Sequence, residues 1–496
     1  MRLESDGAYR LLLVLLLVRV ALVWVGFDRS PMASENDEVL MADQAATLAA
    51  GGGLRAASFE GLPIGTMYAH HPPVYSYLMA GVFKVFGVNV YSLRAPSLLA
   101  YCLFDLLCVL ILARLGERQW LTPAGRNLAL LLLVCESTGF MYSRFGRIDP
   151  VALLFCALAF LALLPPGRGD EPAGARGLAC GRAVASALFM GLALSSYIGA
   201  AFAAVAWALA LLLAWRKRPW QALAVGAVPL LVFAGLWVAV YRERSVDGVK
   251  QMCAIAKYMV TPGLGLQWIV DAGRAHDLRR ALQSGGLDLL SGVLLGTFGI
   301  VGAIVLLRRR KPADRAALLW ALGAPLICWG LMEGLTGQGR GKLIMILPLV
   351  YVAAAIVFSR APAAVRRLGW IATSAIAAGG AVIIAAYLGM TLRHWRARSP
   401  DRFAPVVANI PRTATVAGVP QLWLTFQERH QPYRDIDFGF GPDRVFWEHH
   451  VAWLAKYDYV LLPPDHPLLQ DPALKSRLRQ EYHVADFDLI VLAKPS

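Results

Sequence analysis

Two adjacent carboxylates, Asp37 and Glu38, close the polar run Ser34-Glu35-Asn36-Asp37-Glu38 in a chain that is otherwise 57% hydrophobic and only 16% charged. Paired acids suit general acid–base work, such as drawing the proton off an attacking hydroxyl. The segment Tyr68-Ala69-His70-His71-Pro72-Pro73 follows within forty residues. Its two prolines fix the backbone and hold the residues before them extended, which aims His70 and His71. A histidine held this way can hydrogen-bond or neutralise a phosphate, with Tyr68 as a supporting hydroxyl. His70, His71 and an acid could also compose a divalent-metal site, although their spacing is unspecific. Both features have plainer explanations. Two acids in a first helical turn offset the helix dipole, and Pro-Pro breaks the chain before the helix expected over Val74 to Phe86.

Three further groups stand out. Asp149 sits in Arg144-Phe145-Gly146-Arg147-Ile148-Asp149-Pro150, where Arg144 and Arg147 are its available partners or face lipid phosphate. The run Gly337-Gln338-Gly339-Arg340-Gly341-Lys342 combines small residues, which let a ligand approach the backbone, with two cations that equally suit ordinary headgroups. Residues 242–285 carry an excess of Arg and Lys that an anionic ligand or simple translocation of a long loop would explain.

The elements that position these residues follow from hydrophobic runs. At about 20 apolar residues per span, helices are expected near 11–27, 92–113, 127–143, 150–165, 183–197, 198–215, 221–241, 286–307, 316–333, 343–359 and 368–391, about eleven in all. Alternate connections are basic: Arg114/Arg118/Arg126, Arg168/Arg176/Arg182, Arg216/Lys217/Arg218, Arg308 to Arg315 and Arg360/Arg366/Arg367. The positive-inside rule puts them in the cytoplasm, together with the N-terminus. Residues 28–91, 144–149, 242–285, 334–342 and everything after about 394 then face outward, and every candidate above lies on that side. The pair 183–197 and 198–215 is divided only by Ser195-Ser196-Tyr197; read as one span, it would invert all later sidedness.

Apolar residues Met41, Ala45, Leu48 and Ala49 give the stretch 36–53 helical spacing, capped by Ser34 or Asn36 and stopped by Gly51-Gly52-Gly53, so this helix is expected along the membrane surface. After residue 393 the composition turns to Pro, Asp, His and aromatics, with strands expected at Thr415 to Gly418, Tyr457 to Leu462 and Asp488 to Ala493. The division is thus a membrane domain over 1–393, with a first outer loop over 28–91, and a soluble α/β domain over 394–496. Seven scattered cysteines imply neither disulfides nor zinc. The net charge of +15 sits in short clusters between spans, where lipid headgroups account for it and nucleic acid does not. No phosphate-binding glycine loop or internal repeat is present.

Asp37-Glu38, Gly51 to Gly53, His71-Pro72-Pro73, Phe86-Gly87 with Leu93-Arg94-Ala95-Pro96-Ser97, Arg144 to Asp149, and Lys342 before Leu347-Pro348, taken in order, resemble the membrane glycosyltransferases of the protein O-mannosyltransferase and aminoarabinose lipid A transferase superfamily, the C-type fold. The likeness covers most of residues 1 to 360. It implies an all-α polytopic transferase of the cytoplasmic (inner) membrane that moves a hexose or pentose from a polyprenyl-phosphate carrier to a lipid, glycan or protein acceptor on the outer face. It also implies catalytic roles for Asp37 as base, with Glu38 and Asp149. His71, Arg340, Lys342 and Arg147 would meet the donor phosphate, and His70 and Tyr68 would support the acceptor. Some relatives carry Lys at the position of His71 and an acid at that of His70. The resemblance fixes no cofactor and leaves a divalent metal ion possible. The soluble tail resembles outer domains of some members, with Trp423, Phe426, Phe438, Phe440, Phe446 and Trp447 forming either an acceptor face or its core.

A transporter is the competing class, since outer-side acids and histidines also suit proton coupling. Transporters place charges mid-span and break their helices there, whereas the candidates above cluster at span ends. A binding or scaffold protein whose working part is the tail is a third reading, and only under it would deletion of 394–496 abolish function while substitution of Asp37 is harmless.

Overall fold

The computed structural model describes residues 6–29, 37–55, 57, 72–164, 180–241, 304, 319–321, 323, 339–395, 400–435, 454, 456–464, 467–470, 474, 476–484 and 487–494. Among the described residues the bundle helices are α1 (Asp6–Val23), α4 (Val90–Glu117), α5 (Pro123–Val134), α6 (Ser137–Tyr142), α7 (Asp149–Leu163), α8 (Cys180–Ser196), α9 (Ala200–Ala214), α10 (Pro219–Tyr241), α11 (Gly339–Arg360) and α12 (Ala363–Arg393). Two short helices lie between α1 and α4, namely α2 (Asp37–Ala49) and α3 (Val74–Phe86). Among the described residues, three helices are long and apolar enough to cross a membrane by length and composition: Val90–Glu117, Pro219–Val240 and Ala363–Arg393. The expected spans at 286–307 and 316–333 lie almost wholly outside the described residues. The stretch 183–215 divides into α8 and α9, with the chain turning between Tyr197 and Gly199.

One expected span is broken. The run 127–143 forms α5 and α6, because the Glu136 side chain turns back to accept the Gly139 N–H at 2.8 and 2.9 Å and caps a new helix there. Small polar residues tie the bundle together where apolar contact alone gives no orientation in lipid. Ser186 of α8 donates to the Ala159 carbonyl of α7 (2.6 Å) and accepts from Trp207 Nε1 of α9 (2.7 Å).

The C-terminal region carries a mixed five-stranded sheet in the order β2 (Tyr433–Asp435), β1 (Val416–Gly418), β3 (Tyr459–Leu462), β5 (Phe487–Ala493), β4 (Leu478–Val484). β1 runs parallel to β2 and β3, whereas β5 is antiparallel to β3 and β4. Strands present alternate residues to opposite faces, and here the two faces join different cores. Leu461, Leu489 and Val491 belong to a cluster that continues through α2 into the membrane bundle. Val460, Leu462, Ile490 and Leu492 pack with Leu454, Leu468 and Leu474 on the far side. Thr415 donates its N–H and hydroxyl to Asp458, both at 2.8 Å, which holds that carboxyl below its usual range. The stability so gained is present above the ordinary carboxylate range and is lost as pH falls through the depressed pKa.

The joint between α12 and the α5–α6 break is set by Gly380, where a Cβ would lie 1.9 Å from the Cys135 carbonyl oxygen. Backbone cannot yield as a flexible side chain would. Gly380→Ala is therefore expected to cost about 1–3 kcal/mol by overpacking, read as a lower unfolding temperature in detergent. Gly389→Ala on the same helix has nothing within 4 Å and should leave that temperature unchanged or raise it.

Candidate active site

The site forms where α1 ends, α2 packs on α3, and α4 begins. Its centre is Glu38, 1% exposed, opposite Arg94, 0% exposed, in the first turns of α4. Arg94 Nε donates to Glu38 Oε1 at 2.8 Å and Nη2 donates to Oε2 at 3.1 Å, so the planar fork meets both carboxylate oxygens. The Gly146 N–H adds a third bond to Oε1 at 2.7 Å, and Arg94 Nη1 donates to the Phe27 carbonyl at 2.7 Å. Gly146 is required there, since a Cβ would stand 2.9 Å from the Leu93 carbonyl oxygen of α4. One ion pair thus joins α2, α4, the end of α1 and the α6–α7 turn.

A second layer surrounds Asp149, which opens α7 and is fully buried. Arg147 Nε donates to its Oδ2 at 2.9 Å, and the guanidinium lies 4.5 Å from the Tyr142 ring centre. Asp149 Oδ1 is buried with no hydrogen-bond partner among the described residues. Ser97 Oγ donates to the Arg147 carbonyl at 2.5 Å, so the Tyr75 hydroxyl, 2.9 Å from Ser97 Oγ, must be the donor in that contact. Arg144 faces neither Asp149 nor lipid phosphate. Its guanidinium donates to the carbonyls of Leu22, Val23 and Val25 and so satisfies the otherwise open C-terminal end of α1.

Of the residues singled out from the sequence, the structure brings Glu38, Arg147 and Asp149 to one end of the bundle. Asp37 is the first residue of α2, and Arg340 and Lys342 fall in the opening turns of α11 rather than in a loop; only their backbone is described. Tyr68, His70 and His71 lie outside the described residues, as do Phe438, Phe440, Phe446 and Trp447. Trp423 and Phe426 are fully buried, which makes them core and removes them from any open acceptor face. Helix α2 also differs from a surface helix with one apolar side: every residue from Glu38 to Ala45 is buried. It is covered on both sides because the C-terminal region closes over it.

No group of three metal-ligating side chains occurs among the described residues. Both oxygens of Glu38 are engaged, and His70 and His71 lie outside the described residues.

Sequence reasoning passed over a third set of charges. Arg19 of α1 pairs with Asp105 of α4, reaches the Glu136 carbonyl at 3.0 Å and Oε2 at 3.4 Å, and contacts the Tyr101 hydroxyl, which itself donates to Glu136 Oε2 at 2.7 Å. Asp105 lies eleven residues beyond Arg94, about 16 Å deeper along α4. A charge inside an apolar run is costly and was itself the signal. Mid-span charge and a broken helix, the features assigned above to transporters, are thus present.

The closed geometry around Glu38 makes its disruption measurable. Removing one partner leaves the other charge buried and unpaired, so Arg94→Ala is expected to destabilise the fold by about 3–5 kcal/mol in thermal unfolding. Ser97→Ala, which leaves the buried Tyr75 hydroxyl and Arg147 carbonyl each without this partner, should cost about 2–4 kcal/mol.

Residues 70–238 match the family described as dolichyl-phosphate-mannose-protein mannosyltransferase. No curated protein sequence matches. Among solved structures, ArnT from Cupriavidus metallidurans in the apo state superimposes with a TM-score of 0.63 at 15% identity, over 99% of this chain and 100% of that one. The same protein bound to undecaprenyl phosphate gives 0.59 at 15% identity over 99% and 100%. An oligosaccharyltransferase from Archaeoglobus fulgidus gives 0.50 at 13% identity, over 93% of this chain and 70% of that one. The chain is accordingly a multi-pass membrane protein with the ArnT fold. The chain thus resembles that mannosyltransferase family over residues 70–238 and shares the fold of ArnT along its length.

Proposed function

We propose that this protein is an inverting glycosyltransferase that moves a sugar from a polyprenyl-phosphate carrier to a lipid, glycan or protein acceptor on the outer face of the cytoplasmic membrane. The observation that carries the reading is the site at the head of the bundle, in which Glu38 is wholly spent on Arg94 and Gly146. Glu38 therefore positions rather than reacts, and the neighbouring Asp37 is the base. In the step, Asp37 takes the acceptor proton as the hydroxyl oxygen bonds to the anomeric carbon. The bond from that carbon to the phosphate oxygen breaks, and polyprenyl phosphate leaves with the electron pair.

Arg340 and Lys342 stand at a helix N-terminus, where cations oppose the dipole. An anionic phosphate beside them would offset that cost and be stabilised as charge develops on it. His71 and Arg147 complete the donor side, His70 and Tyr68 the acceptor side, and Asp149, with its unpartnered oxygen, orients the acceptor. A protein of this fold binds undecaprenyl phosphate, which supports the carrier class. An apolar cavity of about 320 Å³, lined by Phe104, Cys108, Leu133, Phe160, Pro348 and Tyr351 among others, offers room for part of an isoprenoid chain.

The transporter reading gains the Arg19–Asp105–Glu136 group, in which Asp105 Oδ1 and Arg19 Nε have no hydrogen-bond partner among the described residues, but its ion pairs join α1 to α4 and the α5–α6 break and so bear on helix placement. It predicts Asp105-dependent proton uptake into proteoliposomes, which the transferase reading does not.

The test is turnover in proteoliposomes supplied with radiolabelled polyprenyl-phosphate hexoses and pentoses and total envelope lipid. Asp37→Asn is expected to lower transfer by about 10²–10⁴-fold while carrier binding persists; full turnover would refute the base. Lys342→Ala is expected to raise the KM for donor with the acceptor KM unchanged, and an unaltered donor KM would remove the phosphate role.

A further inference from the structure

The C-terminal region does more than sit beside the bundle. Trp423, the first residue of the short helix Trp423–Glu428, is fully buried and donates its indole N–H to Oδ1 of Asp43 on α2 at 3.1 Å. Asp43 is itself buried, two turns from Asp37 on the same helix. Around this bond the cores merge: Val39, Met41, Ala42 and Ala45 of α2 share one apolar cluster with Phe403, Val406, Val407, Trp423 and Phe426. A second joint lies at the other end of the segment that precedes α2. The Arg29 guanidinium stacks 5.2 Å from the Trp395 ring centre, and Gly26 packs so closely that a Cβ would meet Trp395 at 2.6 Å. The C-terminal region therefore touches the chain at Gly26 and Arg29, ahead of α2, and again at Asp43 within it.

We propose that the C-terminal region is a working part of the active site, with Trp423 and Asp43 as positioning residues that clamp α2 and so fix the Asp37-Glu38 pair against α4. Trp423 acts through α2, touching no substrate. The proposal rests on the transferase reading for its effect on turnover, though not for its effect on α2. Loss of residues 394–496 strips one side from α2, so that deletion abolishes transfer by a catalytic enzyme as surely as by a scaffold, and the effect of substituting Asp37 is what separates the two.

Trp423→Phe keeps the ring and removes the N–H, while Asp43→Ala removes the acceptor from the α2 side and leaves the C-terminal core intact. Hydrogen exchange of the full-length protein in proteoliposomes is expected to speed up at the amides of α2 in both variants, with β3 and β5 unchanged. With polyprenyl-phosphate mannose or glucose as donor, kcat should fall about tenfold, the scale of one lost hydrogen bond to a charged group, with the donor KM preserved. Unchanged exchange in α2, or faster exchange there with kcat untouched, would overturn the clamp. If Trp423→Phe also loosens β3 and β5, Asp43→Ala decides: faster exchange in α2 alone supports the proposal, and faster exchange in the sheet overturns it. A wild-type protein that turns over no donor sinks the transferase reading, while the exchange data still judge the clamp.

Discussion

A carboxylate sealed inside protein is tolerable only when its charge and every lone pair it presents are met, and the head of this bundle is built around meeting that condition for Glu38. Desolvating two ions costs several kcal/mol each, and attraction offsets it only with good geometry and extra hydrogen bonds. Arg94 supplies the fork, Gly146 a third donor, and Phe27 an acceptor for the remaining guanidinium edge. Since these partners come from four separate segments, the pair can form only when α1, α2, α4 and the α6–α7 turn are all in place. The ion pair is thus a statement about position more than about net stability.

The same logic recurs deeper in the bundle. Arg19, Asp105, Glu136 and Tyr101 tie α1, α4 and the α5–α6 break at a second level. Lipid tails are as apolar as leucine, so apolar contact gives helices little reason to choose one register over another. Two polar ties about 16 Å apart along α4 remove that freedom. α1 and α4 cannot slide or rotate relative to one another without exposing a charge to hydrocarbon. The helices that frame the site are thereby held at two heights, and the Asp37-bearing segment hangs from a rigid support.

What the sequence disclosed follows from whether the signal was local. Gly51 to Gly53 after an amphipathic stretch, and Pro72-Pro73 before Val74, mark α2 and α3 because stops and starts are written in neighbouring residues. The inner strands β1, β3 and β5 show as short apolar runs, whereas the edge strands β2 (Tyr-Arg-Asp) and β4 (Leu-Arg-Gln-Glu-Tyr-His-Val) carry no such run, because an edge buries less. The break at Glu136 is silent for a related reason: one acid in an apolar run does not reveal that it will fold back as a cap. At the site, Arg147 beside Asp149 was visible two residues away. The partner of Glu38 is 56 residues distant, and no spacing rule connects them. The burial of α2 on both sides was equally hidden, since the second cover comes from residues some 380 positions later.

That double cover explains why α2 tolerates polar residues in its interior. Among the eight consecutive buried residues from Glu38 to Ala45, three are polar, and each meets a different element: Glu38 meets Arg94 of α4, Asp43 meets Trp423 of the C-terminal region, and Gln44 accepts from Ser76 of α3. An apolar helix of the same length would be buried as favourably in several rotations, because apolar contact has no direction. Three polar anchors facing three ways allow one rotation only, since any other leaves a buried group unpaired at a cost of about 1–3 kcal/mol or more. Chemistry at a membrane surface needs its base held to within a fraction of an ångström against a substrate that diffuses in lipid. A helix keyed on three sides meets that need at the point where a surface loop could not.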